Sequence, residues 1–124
     1  MARVPFRFEK LEVWQQARAF NREISRLTRG FPTFEQFALT SQIRRAAVSV
    51  SSNIAEGAGR NSDKDFAHFL EQAYGSLMEV ASQLFLALDE SYISAEDHER
   101  MLNQAQKLSA QIAALNRSLP IRTT

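Results

Sequence analysis

Four arginines recur every three or four residues in the first third of the chain, a spacing suited to contacting phosphates. They are Arg18, Arg22, Arg26 and Arg29. On a helix they share one face about 16 Å long, where guanidinium groups could bridge phosphates and release counterions. The pattern is also typical of a solvated helix face, because arginine is a good helix former. Both interpretations stay open at this point.

A band of polar side chains follows between positions 42 and 60. Its members, again three or four residues apart, are Gln42, Arg45, Ser49, Asn53, Glu56 and Arg60. Buried polar groups must find partners, so the band predicts a side-chain network between helices or between subunits. The alternative is a small-molecule or phosphate site lined by Arg45, Asn53, Glu56 and Arg60. Further candidates for contacting nucleic acid are Arg44, Arg45 and Arg60.

Residues typical of catalysis are few. His68 and His98 are far apart, and neither has a metal-ligand spacing from a carboxylate motif. Glu56 and Glu79 are isolated, and the two-glycine run at 57–59 is too short for a phosphate loop. We therefore expect no enzyme, no cofactor and no metal.

Breaks in the apolar pattern divide the chain into four predicted helices. Gly30-Phe31-Pro32 ends the first, and Thr33 caps the second with Gln36 as a capping-box partner. Ser62 and Ser94 open the third and fourth, each followed by acidic residues at the positive helix end. The predicted helices are about 9–29, 34–58, 63–90 and 95–118.

Each predicted helix carries an apolar stripe with alternating spacings of four and three. The stripes are Val13, Ala17, Phe20, Ile24, Leu27; Leu39, Ile43, Ala46, Val50, Ile54; Phe66, Leu70, Ala73, Leu77, Val80, Leu84; and Met101, Ala105, Leu108, Ile112, Leu115, Leu119. The repeat predicts shallow knobs-into-holes packing, and short connections make successive helices antiparallel. We predict an all-α fold, a single domain over residues 1–124 that forms an up-down-up-down antiparallel four-helix bundle. Small and polar residues in the second helix indicate the close approach of a neighbour.

Two further apolar surfaces exceed what a monomeric bundle needs. The third helix has a second stripe, at Tyr74, Met78, Ala81, Phe85 and Leu88. The first helix places Leu11 and Trp14 away from its inward stripe, where a monomer would expose them. A central third helix and ordinary exposed apolar residues would also explain both features. Because large apolar patches usually mark interfaces, we favour a homo-oligomer that uses Leu11, Trp14, Tyr74, Met78 and Phe85.

Composition excludes several classes of protein. Hydrophobic residues make up 44% of the chain and charged residues 23%, as in soluble globular domains. The chain has no cysteine, which excludes disulfides and thiolate metal sites. The N-terminus lacks the apolar core of a signal peptide, and no apolar run approaches the roughly 18 residues of a membrane span. We expect a cytoplasmic protein without a membrane partner.

The net charge of +1 is unevenly distributed. Residues 1–60 contain ten Lys/Arg and five Asp/Glu, a balance of +5, whereas residues 61–124 contain five and nine, a balance of −4. Such asymmetry is typical of a polyanion-binding half. It is also expected where two halves neutralise one another across an interface.

Three segments resemble a known family. They are FEKLEVWQQA at 8–17, the run at 31–60 that contains QIRRA and NIAEG, and FLEQAYGSLMEVASQL at 69–84. Over about residues 8–118 the chain resembles the bacterial four-helix-bundle proteins called 23S rRNA intervening-sequence proteins, also labelled S23 ribosomal protein. This family is itself similar to the accessory protein of diversity-generating retroelements.

The resemblance implies a four-helix bundle that often assembles as a homopentameric ring. The retroelement relative forms a basic pentameric barrel associated with nucleic acid and reverse transcriptase, and the net charge of +1 here departs from it. No enzymatic activity or catalytic residue comes with the resemblance. A ring needs two different patches per subunit, because cyclic contacts are heterologous, and the third-helix stripe and the Leu11–Trp14 patch fit this requirement.

Three classes of function follow from these patterns. The first is a non-enzymatic oligomer associated with RNA or DNA through the arginines. The second is an interaction scaffold that recruits a protein partner without binding nucleic acid. The third is an enzyme or ligand-binding protein built on Asn53 and Glu56. We predict the first and keep the second as the alternative.

Overall fold

In the computed structural model, residues 2–120 are described, and they form four α-helices and two short 3-10 turns without a strand in that range. The helices are α1 (Glu12–Thr28), α2 (Leu39–Ala58), α3 (Asp63–Asp89) and α4 (Ala95–Ser118). A 3-10 turn precedes α1 at Arg7–Lys10, and another precedes α2 at Thr33–Glu35.

The starts of α3 and α4 agree with their sequence signals, but the start of α2 does not. The side chains of Ser62 and Ser94 accept backbone N–H bonds three residues later, at 3.1 and 3.0 Å. The predicted start of the second helix at 34, with Thr33 as its cap, was wrong, since α2 begins at Leu39. Glu35 accepts the backbone N–H of Leu39 at 3.3 Å and the hydroxyl of Tyr92 at 2.7 Å, which holds the preceding segment outside the helix.

Neighbouring helices run antiparallel. Between α2 and α3, Gly57 lies beside Phe66 and Ser49 contacts Ser76, so positions rise on one helix as they fall on the other. Between α3 and α4, Phe85 meets His98, while Tyr74 and Ile112 line one groove. Between α1 and α4, Glu23 binds Arg100, while Leu11 and Leu115 line another. In both pairs, positions again rise on one helix as they fall on the other. Each α-helix also packs against the next, and α1 packs against α4. The arrangement is consistent with the predicted four-helix bundle.

The predicted inward stripes form the core. All of their members are buried except the half-buried Leu27, Leu39 and Leu115. The closest helix pair is α2 with α3, where a Cβ added at Gly57 would lie 2.7 Å from Cβ of Phe69 and 2.8 Å from Cδ1 of Phe66. Glycine is therefore needed for this approach, and α3 is the close neighbour that the small residues of α2 indicated.

The two additional apolar surfaces have different environments. Leu11 and Trp14 are half-buried rather than exposed as expected. The ring of Phe8 in the N-terminal turn meets that of Trp14 edge-on at 4.7 Å, and Leu11 faces Ala114 and Leu115 of α4 across a groove. We call these two residues the α1 patch. On α3, by contrast, Tyr74, Met78 and Phe85 remain 40%, 40% and 50% exposed, and we call them the α3 stripe.

Candidate nucleic-acid interface

The four arginines of α1 are all exposed on the side opposite its buried stripe. The guanidinium of Arg18 lies 5.6 Å from the centre of the Trp14 ring, within the range of a cation–π contact. Arg26 forms an ion pair with Glu23 at 3.0 Å. Within residues 2–120, Arg22 and Arg29 form no ion pair, so their charges face solvent.

Arg44 is brought to the same surface from α2. Its Nε donates to Oγ1 of Thr28 at 2.8 Å, and its Nη2 donates to the carbonyl oxygen of Ser25 at 3.3 Å. These bonds fix the Arg44 guanidinium against the last turn of α1, which Arg29 directly follows. We call the group Arg18, Arg22, Arg26, Arg29 and Arg44 the arginine surface.

Glu23 is the carboxylate that contacts this surface in the described part of the chain. It pairs with Arg26 and also accepts a hydrogen bond from Arg100 of α4 at 3.1 Å. One carboxylate therefore faces two guanidinium groups, and the contact ties α1 to α4. The arginine surface keeps a clear excess of positive charge.

The other two arginine candidates lie elsewhere. Arg45 lines a groove of about 430 Å³ between α2 and α3, with Ser49, Ser76 and Glu79 among the other lining residues. Arg60 sits over the ring of Phe69, 4.7 Å from its centre, and pairs with Glu56 at 3.7 Å. The seven candidates thus separate into the five of the arginine surface and two others: Arg45, which also borders a pocket with Arg44, and Arg60, which lies beyond the end of α2.

The polar band of α2 divides in the same way. The hydroxyls of Ser49 and Ser76 are 2.9 Å apart, and Nδ2 of Asn53 donates to both Oγ and the carbonyl oxygen of Ser49 at 2.9 Å. These residues link α2 to α3 by hydrogen bonds. Gln42 and Glu56 are exposed and lie outside this network.

The sequence patterns missed the role of the N-terminal segment. Arg7 donates to the carbonyl oxygen of Ala58 at 3.0 Å and lies 5.2 Å from the Phe66 ring centre, so it caps the end of α2. The guanidinium of Arg3 binds Glu9 at 2.7 and 2.8 Å, and with the backbone N–H of Phe6 it lowers the pKa of Glu9 to about 2. The opposite charges of Arg3 and Glu9 were the available signal, but the predicted first helix started at about residue 9 and no role was predicted for Arg3 or Arg7.

Neither histidine belongs to a metal-binding group. His98 is buried beside Phe85, and His68 contacts Gln72 on the surface of α3. Across residues 2–120, no group of three or more His, Cys, Asp or Glu side chains is placed to hold a metal ion. In the same part of the chain, none of the helices combines the length and apolarity that crossing a membrane requires.

Comparison with known proteins places this chain in a family. The model of the family described as 23S rRNA-intervening sequence protein matches residues 9–114. The chain belongs to this family. A crystal structure of a protein of unknown function from the S23 ribosomal protein family of Bacteroides thetaiotaomicron has a similar fold, with a TM-score of 0.79, 23% identity, and coverage of 86% of this chain and 96% of that one. No curated protein matches the chain.

The match to the 23S rRNA-intervening sequence protein family covers the whole arginine surface, Arg45 and Arg60. It begins after Arg3 and Arg7, so the arginines that fasten the N-terminal segment lie outside it. Nothing in the family description or in the similar crystal structure points to catalysis.

Proposed function

We propose that this member of the 23S rRNA-intervening sequence protein family is a non-enzymatic protein that associates with nucleic acid, RNA above all. The observation that carries the proposal is the arginine surface, where Arg44 is hydrogen-bonded into place beside the arginines of α1. Five guanidinium groups there face one contacting carboxylate among the described residues. The family's description names 23S rRNA, which is why RNA is the nucleic acid proposed.

Guanidinium groups in this arrangement suit the phosphate backbone rather than the bases. Each planar fork can bind two phosphate oxygens, and each neutralised phosphate releases counterions. Trp14 is half-buried under Phe8 and Arg18, so it orients Arg18 and has little free face for stacking on a base. We therefore expect affinity that depends on salt and only weakly on sequence.

We propose further that the protein acts as a homo-oligomer. The α3 stripe supports self-association, because three large apolar side chains there stay about half exposed. The resemblance of the sequence to its family implies a ring of five copies. Since one subunit has a net charge of only +1, repetition of the arginine surface would raise affinity by multivalent contact with one RNA.

A titration against two nucleic acids tests the association with RNA. The protein is titrated with a structured 23S rRNA fragment and with an unrelated duplex, each at two salt concentrations. The test variant replaces Arg18, Arg22 and Arg29 with Gln. The control replaces Lys10, Lys64 and Lys107 with Gln, which removes equal charge from dispersed exposed positions. We expect the test variant to lose more than about tenfold in affinity and about three in the salt slope, since each phosphate contact contributes about one.

The control decides what the result means. Equal losses in both triple variants would show a general charge effect and would contradict the arginine surface as the site. Tighter binding of the rRNA fragment than of the duplex would add specificity to the association. If the unmodified protein binds neither nucleic acid at low salt, the proposal fails, and the alternative function of a scaffold for a protein partner takes its place.

A further inference from the structure

The groove between α2 and α3 holds two opposite charges that do not pair with each other. Arg45 of α2 and Glu79 of α3 both line this cavity of about 430 Å³. The hydroxyls of Ser49 and Ser76 meet one turn away, so the antiparallel helices place positions 45 and 79 directly across from each other. Within residues 2–120, the side chain of Arg45 has no hydrogen-bond or ion-pair partner. Its guanidinium and the carboxylate of Glu79 are therefore both available to a molecule in the groove.

Glu79 is held by a buried glutamine one turn further along α3. Nε2 of Gln83 donates to Oε2 of Glu79 at 3.2 Å, and Gln83 is only 6% exposed. Oε1 of Gln83 is buried without a hydrogen-bond partner among the described residues. Such a half-satisfied polar side chain costs stability, which an apolar residue of the same shape would not. The bond fixes the direction of the Glu79 carboxylate, whose Oε1 and remaining lone pairs stay open as acceptors.

The α2–α3 groove adjoins the arginine surface. Arg44, which belongs to that surface, borders one cavity together with Arg45, Val48 and Ser49. Arg45 and Ser49 also line the α2–α3 groove, so the groove and this cavity are neighbours. An RNA backbone bound along the arginine surface therefore passes beside the groove, within reach for an unpaired nucleotide to turn its base inwards. Val48 is 48% exposed there and offers an apolar contact to the face of a base.

Guanine is the RNA base whose edges match this pair of charges. Its N1–H and N2–H groups are adjacent donors, which fit the two oxygens of a carboxylate. Its O6 and N7 are the acceptors that an arginine fork binds in bidentate fashion. These edges are adjacent, so a carboxylate and a guanidinium bind the base side by side without touching each other. Adenine, cytosine and uracil lack the two adjacent donors, and a simple anion or cation would leave one charge in the groove unpaired.

We propose that the α2–α3 groove binds an unpaired guanine of RNA. Glu79 accepts its N1–H and N2–H, and Arg45 donates to its O6 and N7. Gln83 acts as a positioning residue, since it holds the carboxylate of Glu79 without touching the base. The neighbouring arginine surface is what makes RNA the source of this base. The inference rests on the proposed association with RNA and deepens it, because the arginine surface binds the backbone of any sequence, whereas the groove selects one base.

Short single-stranded RNAs test the selection of guanine. The protein is titrated with an oligouridine and with the same oligouridine carrying one central guanosine, adenosine or cytidine. We expect the guanosine version to bind about tenfold more tightly than the others, since a bidentate pair discriminates to about this degree. Two analogues remove single groups from the base: inosine lacks the N2 amino group that binds Glu79, and 7-deazaguanosine lacks the N7 that binds Arg45. Each should lose part of the preference.

Protein variants separate recognition of the base from a general effect of charge. Glu79→Gln replaces one acceptor oxygen with a donor and should abolish the guanine preference. Glu99→Gln is the matched control, since it removes the same charge from an exposed position on α4 and should keep the preference. Arg45→Lys keeps the positive charge but loses the planar fork, so the preference should fall while the salt dependence stays the same.

Gln83→Met distinguishes a positioning role from a structural one. Methionine fills a similar space without an unpaired carbonyl oxygen, so the free energy of unfolding should not decrease. The guanine preference should nevertheless fall severalfold, because Glu79 loses the donor that fixes it. Circular dichroism checks that every variant keeps its helices.

Two results would overturn the inference: equal affinities for all the oligonucleotides, or a guanine preference that Glu79→Gln leaves intact. Binding of RNA without a preference would reject only the guanine site, because the arginine surface would still account for it. If no RNA binds, an NMR titration with guanosine and adenosine monophosphates decides. Selective binding of guanosine monophosphate that Glu79→Gln abolishes would keep the guanine site and reject only the association with RNA. Equal binding or no binding of the two nucleotides would then reject both.

Discussion

The α1 patch and the α3 stripe are both apolar surfaces outside the inward stripes, yet the chain covers one and leaves the other open. Phe8 lies against Trp14, and the segment that carries Phe8 is closed on itself by the Arg3–Glu9 ion pair and held to the end of α2 by Arg7. On α3, the ring of Phe85 meets that of the buried His98 at 4.6 Å, yet Phe85 stays 50% exposed and Met78 stays 40% exposed. The α1 patch is covered by a turn next to it in sequence, whereas the α3 stripe lies in the middle of a long helix with no such neighbouring turn.

The largest expected effect concerns the α3 stripe. We expect Met78→Ser combined with Phe85→Ser to reduce the assembly to the 14.1 kDa monomer while the helices persist, because exposed side chains contribute little to the fold of one chain. Light scattering after size exclusion measures the mass. Val48→Ser is the control, since Val48 is 48% exposed on α2. An unchanged mass in the double variant would show that the stripe is not a contact.

The α1 patch should respond in the opposite manner. Trp14→Ala removes a half-buried ring that packs on the core and on Phe8, and we expect it to lower the free energy of unfolding by about 2 kcal/mol. Urea denaturation measures this loss, and the assembled mass should stay the same. Trp14→Phe serves as the conservative control. A lower mass with unchanged stability would reverse the comparison and make the α1 patch an interface.

Two glycines have opposite surroundings. Gly57 of α2 faces the packed side of α3, whereas Gly75 of α3 faces open space. No atom lies within 4 Å of a Cβ built on Gly75, so Gly75→Ala should raise the free energy of unfolding of one chain by about 1 kcal/mol through helix propensity. Gly57→Ala should lower it by about 1–3 kcal/mol, because its Cβ would meet Phe66 and Phe69. Denaturation at a protein concentration that keeps the chain monomeric compares the free energies of unfolding of the two variants. If Gly75→Ala also lowers the assembled mass, a second copy approaches α3 closely at that point.

The smallest effect is an acid response of the N-terminal cover. The pKa of Glu9 is lowered to about 2 from 4.5 by Arg3 and by the backbone N–H of Phe6. Its contribution is therefore complete above pH 4.5 and fades as the pH falls towards 2. Trp14 is the only tryptophan, so its emission should shift to the red over this range as Phe8 lifts away. Glu9→Gln should lack this step, and identical titrations of both proteins would contradict the role of Glu9.

The helix boundaries show where sequence reasoning succeeds. Ser62 and Ser94 cap the next few residues of their own helices, so the starts of α3 and α4 follow from local chemistry. The start of α2 depends on Glu35 bonding to Tyr92, 57 residues away. Such a contact leaves no local pattern, and the prediction therefore began the helix too early.

The candidate site shows the same division. The spacing of Arg18, Arg22 and Arg29 predicts a shared helix face, and all three are exposed on it. The neighbouring position of Arg44 could not be predicted, because it depends on how α2 packs beside Thr28. The band from Gln42 to Arg60 was also one group in the sequence, but its members face different neighbours once α3 is in place.

The sequence alone determined the four helices, the core stripes and the family, because periodicity, capping and the matched segments are properties of the chain itself. The tertiary structure decided which apolar surface stays open and which arginines gather. These depend on the distances between segments remote in sequence, which burial of the core establishes only when all four helices pack together.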